Sequence, residues 1–369
     1  MTERLEISVA GTKVGVRVAT RPGGGAAGAV LWPSIGEYPV YDSALYGALT
    51  SDESRVERFR AAVRALAPGR RVLDIGTGEH LNWARESVSC GASGAVAIEA
   101  MDDTFRNASA NRLAWGLADR VTLLHGVSTE LEIGSRADVC VAEVIGSVAG
   151  AEGAEGAAAV LADARRRHLV PGGVVVPDRC VTRAAAVNLR EVLGGAPVAF
   201  APEAVPYLER IFDWSGAPFD VRLRIGNPAP EALLSTEEDV EVLDFNGDLR
   251  TEQERRVRLT VRRPGSVDGV LTWLRISCLP DEEPLDALRD PTSWASVYFP
   301  LFDAEVPVER GDTLDLTFRV RTGADGVHPD YHLAATLRTA AGELTATHSS
   351  PHRGRAFREH PVHRTLFPE

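Results

Sequence analysis

Val72-Leu73-Asp74-Ile75-Gly76-Thr77-Gly78-Glu79-His80-Leu81 is the stretch that decides the fold. An apolar strand runs into a glycine turn, and a helical pattern then extends from about Leu81 to Cys90. Glycines at such a turn let a ligand lie against the backbone, in front of a helix N-terminus. On the N-terminal side, Val56, Phe59, Val63 and Leu66 share one face of a helix predicted over 52–66. On the C-terminal side, strands are predicted at 94–99, 121–124 and 137–143, with a helix ending near Gly116. Strands alternating with helices at this spacing predict a parallel sheet with crossover helices.

The pattern changes after Pro171-Gly172-Gly173, where alternating β segments such as 257–261, 270–276, 313–320 and 332–336 take over. A chain of 369 residues exceeds the roughly 250–300 that one core supports, so more than one domain is expected. We therefore expect an α/β plus β fold in three parts. These are an N-terminal β extension over 1–36, a Rossmann-like domain with its own N-terminal helix over 37–178, and a β-barrel domain over 179–369. Arg21 to Gly28 reads as a flexible loop or hairpin tip, Pro202–Asp213 as a short helix, and the tail from His352 as loosely ordered.

Composition narrows the function. With 40 basic against 52 acidic side chains, the net charge is −12, which argues against a nucleic-acid or anionic-membrane binder. Lys13 is the one lysine, and this preference for arginine looks like coding bias. The N-terminus is polar and no apolar run approaches the ~18–20 residues of a membrane-spanning helix, so a cytoplasmic location is expected. Cys90, Cys140, Cys180 and Cys278 are far apart and read as free thiols. No metal is expected, because Pro329 interrupts the spacing between His328 and His332. Ser147 makes only half of a nucleophile elbow.

Asp74, Gly76 and Gly78 form the first cofactor signal, and Glu99, 25 residues after Asp74, forms the second. A carboxylate at the end of the second strand suits the hydroxyls of a ribose. Asp74 beside the turn would repel a pyrophosphate but suits an ammonium, which favours S-adenosylmethionine over a dinucleotide. His80 stands where a third glycine is common.

Glu143 and Glu152 bracket a Gly/Ala/Ser-rich loop after the fourth strand, nine residues apart. With Val176-Pro177-Asp178-Arg179, Asp52-Glu53-Ser54-Arg55 and Pro291-Thr292-Ser293-Trp294 in the same order, the chain resembles the protein arginine methyltransferase family, as a divergent bacterial-type member. The resemblance spans about 38 to 340. It implies that Glu143 and Glu152 clamp a guanidinium, that Arg55 grips the cofactor carboxylate, and that Ser128 and Thr129 flank the adenine. The product would be S-adenosylhomocysteine. It also implies a pocket at Tyr38, Tyr41, Tyr46, Leu49, Ser293 and Trp294, and a homodimer built on an arm near 201–220. Three departures concern the substrate: Ser293 replaces the family's histidine, and Leu49 and Ala154 replace its methionines. The acceptor is expected to be free arginine, an arginine peptide or a metabolite. The competing readings are a small-molecule O-, N- or C-methyltransferase on the same scaffold, and a non-catalytic dimeric module.

Overall fold

The computed structural model describes residues 1–20, 28–33, 51–148 and 156–369. The chain opens with a hairpin of β1 (Thr2–Val9) and β2 (Thr12–Ala19), whose tight turn is Ala10-Gly11 with both φ angles positive, 46° and 81°. Of the stretch Arg21 to Gly28, expected as a flexible loop or hairpin tip, residues 21–27 lie outside the described residues. Ile7, Val9, Val14, Val16 and Val18 alternate onto one buried face. β3 (Val30–Pro33) follows and pairs antiparallel with strand Leu223–Gly226 of the C-terminal half.

The α/β half begins with α1 (Glu53–Leu66), capped by Asp52, whose Oδ1 accepts the Arg55 N–H at 3.0 Å. A cap of this kind stabilises a helix by about 1 kcal/mol. Then come β4 (Arg71–Ile75), α2 (Asn82–Ser89), β5 (Gly94–Glu99), α3 (Asp102–Ala114), β6 (Val121–His125), β7 (Ala137–Ala142), α4 (Ala157–Arg167) and β8 (Leu169–Val176). The five strands run parallel in the order β6-β5-β4-β7-β8. The order reverses beside β4, which is where open α/β sheets form their ligand crevice, outside the carboxyl ends of the strands. Both faces of the sheet are covered, so β4 reads Val-Leu-Asp-Ile with all four residues buried. Pro171-Gly172-Gly173 lies inside β8, so the passage to the C-terminal half comes a few residues later than the change in pattern suggested.

The C-terminal half has two larger antiparallel sheets and a two-stranded one, Gly265–Val267 with Val306–Val308. Of the larger two, one runs Glu238–Asp244, Arg179–Val187, Gly269–Ser277, Ser296–Pro300, Leu223–Gly226 and β3; the other runs Gln253–Thr260, Thr313–Thr322, Pro329–Thr339 and Gly342–Ser350. Val240, Val270, Phe299, Leu316, Phe318 and Tyr331 fill the barrel-like core between them. The helix Val205–Ser215 turns Leu208, Ile211 and Phe212 onto Ile7, Val9 and Phe367 in one buried cluster. The apolar stripe expected to mediate dimerisation is thus buried within the chain itself. The tail is also better ordered than its composition suggested: Pro361–Leu366 is a helix, and Leu366 and Phe367 are fully buried. All four cysteines are free thiols. Among the described residues no helix is long and apolar enough to cross a membrane.

Candidate functional site

At the end of β4, Gly76 and Gly78 take positive φ, 71° and 66°, the left-handed region that glycine enters without strain. The turn is pinned to β5 by the N–H groups of Gly76 and Thr77, which both donate to the Ile98 carbonyl at 3.0 Å. A Cβ on Gly76 would meet Val144 Cγ1 at 3.1 Å, so a side chain there would crowd the crevice. His80 is tolerated because the next left-handed residue is Leu81, with φ 46°, rather than His80.

Asp74 is fully buried. Its Oδ2 accepts the Thr77 hydroxyl at 2.6 Å and the Ala84 N–H at 2.8 Å, while Oδ1 has no donor among the described residues. Burial pushes its carboxyl up to about 7 against the two hydrogen bonds, and the charges of Glu143 and Glu99 add to the rise. Glu99 accepts from Gly78 N at 3.0 Å and Met101 N at 2.9 Å. Burial raises its carboxyl, and those N–H groups partly hold it down. Ser128 is buried and Thr129 half-buried in the turn after β6, and the Ser128 carbonyl receives Arg167 Nη2 at 2.9 Å. The carboxyl ends of β4, β5 and β6 therefore bring Asp74, Gly76, Gly78, Glu99, Ser128 and Thr129 to one sheet edge. The donor set fits S-adenosylmethionine on three counts. Asp74 offers a buried acceptor that lacks a donor, the turn offers a cradle a Cβ would fill, and Glu99 keeps unused lone pairs on both oxygens.

The other rim is built by side chains from distant parts of the chain. Glu143 follows β7, and its Oε2 accepts the Trp83 indole N–H at 3.0 Å. Trp83, in the first turn of α2, stacks on Phe59 of α1 with centroids 5.3 Å apart. The Arg55 Nε donates to Glu143 Oε1, and its Nη1 reaches Ser293 Oγ at 3.3 Å. The same guanidinium lies 4.3 Å over the Trp294 ring, whose Nε1 donates to the Ile145 carbonyl at 2.9 Å. Asp52 ties this rim to the C-terminal half: its Oδ2 accepts Thr292 Oγ1 at 2.8 Å, Ser293 N at 2.6 Å and Ser293 Oγ at 2.9 Å. Burial tends to raise the Asp52 carboxyl, but these donors and the Arg55 N–H together hold it below the ordinary value.

Arg55, Glu143, Ser293 and Trp294 converge at this rim, with the Arg55 guanidinium paired to Glu143. Ser293 is tied to Asp52 through both its hydroxyl and its backbone N–H. Trp83 and Asp52 went unrecognised as site residues, although Asp52 opens the Asp52-Glu53-Ser54-Arg55 segment and Trp83 stands in the first turn after the glycines. Glu152, Tyr38, Tyr41, Tyr46, Leu49 and Ala154 lie outside the described residues.

No family model matches the chain. It is 29% identical over 149 residues to a probable protein arginine N-methyltransferase 6 of Arabidopsis thaliana, covering 39% of this chain and 33% of that protein. It is 22% identical over 291 residues to protein arginine N-methyltransferase 1 of Saccharomyces cerevisiae, covering 73% and 78%. The chain spans about a third of the length of several curated relatives, the Arabidopsis protein and one from Drosophila melanogaster among them. Among solved structures it resembles Arabidopsis thaliana protein arginine methyltransferase 10, with a TM-score of 0.66 at 18% identity, over 84% of this chain and 98% of that one. That likeness shows the fold, a parallel-sheet domain followed by a barrel-like β domain. The chain is thus similar in sequence to protein arginine methyltransferases, and it shares their fold.

Proposed function

We propose that the protein is an S-adenosylmethionine-dependent N-methyltransferase acting on a guanidine nitrogen of an arginine, whether free, in a peptide or in a metabolite. The observation that carries this reading is the Arg55 guanidinium on Glu143, beside Ser293 and the Trp294 ring. A pocket edge that accepts one guanidinium has the carboxylate, the hydroxyl and the π-face to accept another. A planar fork of donors matches carboxylate geometry better than an ammonium does.

The cofactor supplies an electrophilic sulfonium methyl and leaves as S-adenosylhomocysteine. Asp74 lies near enough to the turn to favour an ammonium, and Glu99 accepts ribose hydroxyls, with Ser128 and Thr129 beside the adenine. Glu143, oriented by Trp83, and Glu152 hold the acceptor so that one nitrogen faces the methyl, which makes transfer largely a matter of positioning. One of the two carboxylates takes the departing proton. Arg55 must yield its place on Glu143 to the acceptor and turn toward the cofactor carboxylate. Homodimer formation belongs to the same proposal, with Trp214, 41% exposed on the arm helix, as its contact.

The test is Glu143→Gln with labelled cofactor, screened over free arginine, arginine peptides and cell extract. Transfer should fall by roughly 10²–10³, the loss typical of removing one charge-stabilising group. Calorimetry should show cofactor affinity nearly unchanged. Full activity in this variant would sink the clamp assignment, and an active enzyme that arginine analogues fail to inhibit would point to a different acceptor.

A further inference from the structure

Away from this site, Asp325, His328 and His352 place three donor atoms within 4.8 Å of one another. We propose that they form a site for a zinc-class divalent transition metal, on the C-terminal half and independent of methyl transfer. Asp325 and His328 belong to the short loop between strands Thr313–Thr322 and Pro329–Thr339, and His352 follows strand Gly342–Ser350.

Each donor is fixed by the backbone. The Asp325 Oδ1 accepts the N–H groups of Val327 and His328, both at 2.9 Å, which aims Oδ2 at the imidazoles. That Oδ2 lies 2.6 Å from His328 Nδ1 and 3.8 Å from His352 Nε2. A tetrahedral ion with bonds near 2.0–2.1 Å needs donors roughly 3.3 Å apart, a value between those two distances. The His328 carbonyl receives Gly323 N at 2.7 Å, and His352 N donates to Asp330 Oδ1 at 2.7 Å. The two rings stack with centroids 4.0 Å apart and 3° between planes, so both must tilt out of the stack for their in-plane lone pairs to meet on one ion.

Two imidazoles and one carboxylate favour zinc and its neighbours over calcium or magnesium, which seek all-oxygen shells. Asp325 is exposed, leaving room for water as fourth ligand.

The location gives such an ion a mechanical consequence. The Val327 carbonyl lies 2.2 Å from where a Cβ on Gly156 would be, and Gly156 opens α4 just after the segment that carries Glu152. An ion here stiffens the loop on which that glycine rests.

Chelator-treated full-length protein titrated with Co²⁺ tests the proposal, read by calorimetry and by visible d–d absorption. One equivalent should bind with a tetrahedral-type spectrum. His352→Ala and the shape-conserving Asp325→Asn should each weaken binding more than roughly tenfold. His332→Ala, which removes a half-buried imidazole outside the trio, should bind as the parent does. No binding by the parent overturns the site, and so does unchanged affinity in Asp325→Asn or an equal loss in His332→Ala.

Discussion

The two rims of the candidate site are held in different ways. On the cofactor side, Asp74 and Glu99 are fixed mostly by backbone N–H groups within 28 residues of sequence, from Asp74 to Met101. On the acceptor side, Asp52, Arg55, Trp83, Glu143, Ser293 and Trp294 hold one another chiefly through side chains that span 243 residues from Asp52 to Trp294. A rim made by backbone donors exists once its domain has folded. A rim made of paired side chains exists only when the α/β half, α1 and the C-terminal half are docked. The first is expected to be rigid and the second adjustable, since under the proposed function Arg55 exchanges its carboxylate for the cofactor's during turnover.

The largest effect is expected on the rigid rim. Asp74 sits near 7 in the fold against 3.8 for an ordinary carboxyl, so ionising it in place costs up to about 4 kcal/mol. A raised carboxyl adds stability that is complete below 3.8, falls away as pH rises toward 7, and is gone above 7. Asp74→Asn keeps the shape and an acceptor for Thr77 and Ala84 but cannot ionise. In urea titrations of cofactor-free protein, its stability relative to the parent should therefore grow between about pH 4 and pH 7, by up to about 4 kcal/mol. The same variant should bind S-adenosylmethionine more weakly. A difference that stays flat with pH would show that Asp74 is solvated, and the contrast between the rims would weaken.

The adjustable rim should break at Asp52. Asp52→Ala removes the cap of α1 and strands the donors of Thr292 and Ser293, at a cost of about 2–3 kcal/mol. Ser293→Ala removes only a hydroxyl, because the backbone N–H stays on Asp52, and should cost about 1 kcal/mol or less. Thermal unfolding measures both. Equal losses would mean that the serine hydroxyl, rather than the whole Asp52 fan, docks the halves together.

This difference also explains what the sequence made legible. The strand–glycine–helix unit, Asp74 and Glu99 could be read because local backbone geometry demands particular residues at fixed short spacing. Four strands of the parallel sheet follow from that unit and the strand–helix alternation around it, while β8 did not, because Pro171-Gly172-Gly173 lies inside it. The pairing of Arg55 with Glu143 could not be read. Nothing local to either residue reports that α1, β7 and the 291–294 loop meet. The burial of Leu208, Ile211 and Phe212 was ambiguous for a similar reason. An apolar stripe shows that something covers it, while the cover is β1–β2 and Phe367, whose sequences carry no mark of their partner. The ordered tail was missed because its Arg, His and Pro residues outnumber Leu366 and Phe367, which do the anchoring.

Trp83 provides the finest test, since it belongs to both rims. It lies one turn beyond the glycines, yet its indole N–H orients Glu143. Trp83→Phe preserves a ring to stack on Phe59 and removes one hydrogen bond to a carboxylate, at a cost of about 1–1.5 kcal/mol. If that bond only packs the fold, the cost appears in thermal stability and the methyl-transfer rate is unchanged. If it aims Glu143 at the acceptor, part of the cost appears in the transition state, and kcat should fall about tenfold with the cofactor's affinity unaltered. A loss in cofactor affinity instead would place Trp83 on the rigid rim. The division between the rims would then fall at β7, after α2, instead of at the glycine turn.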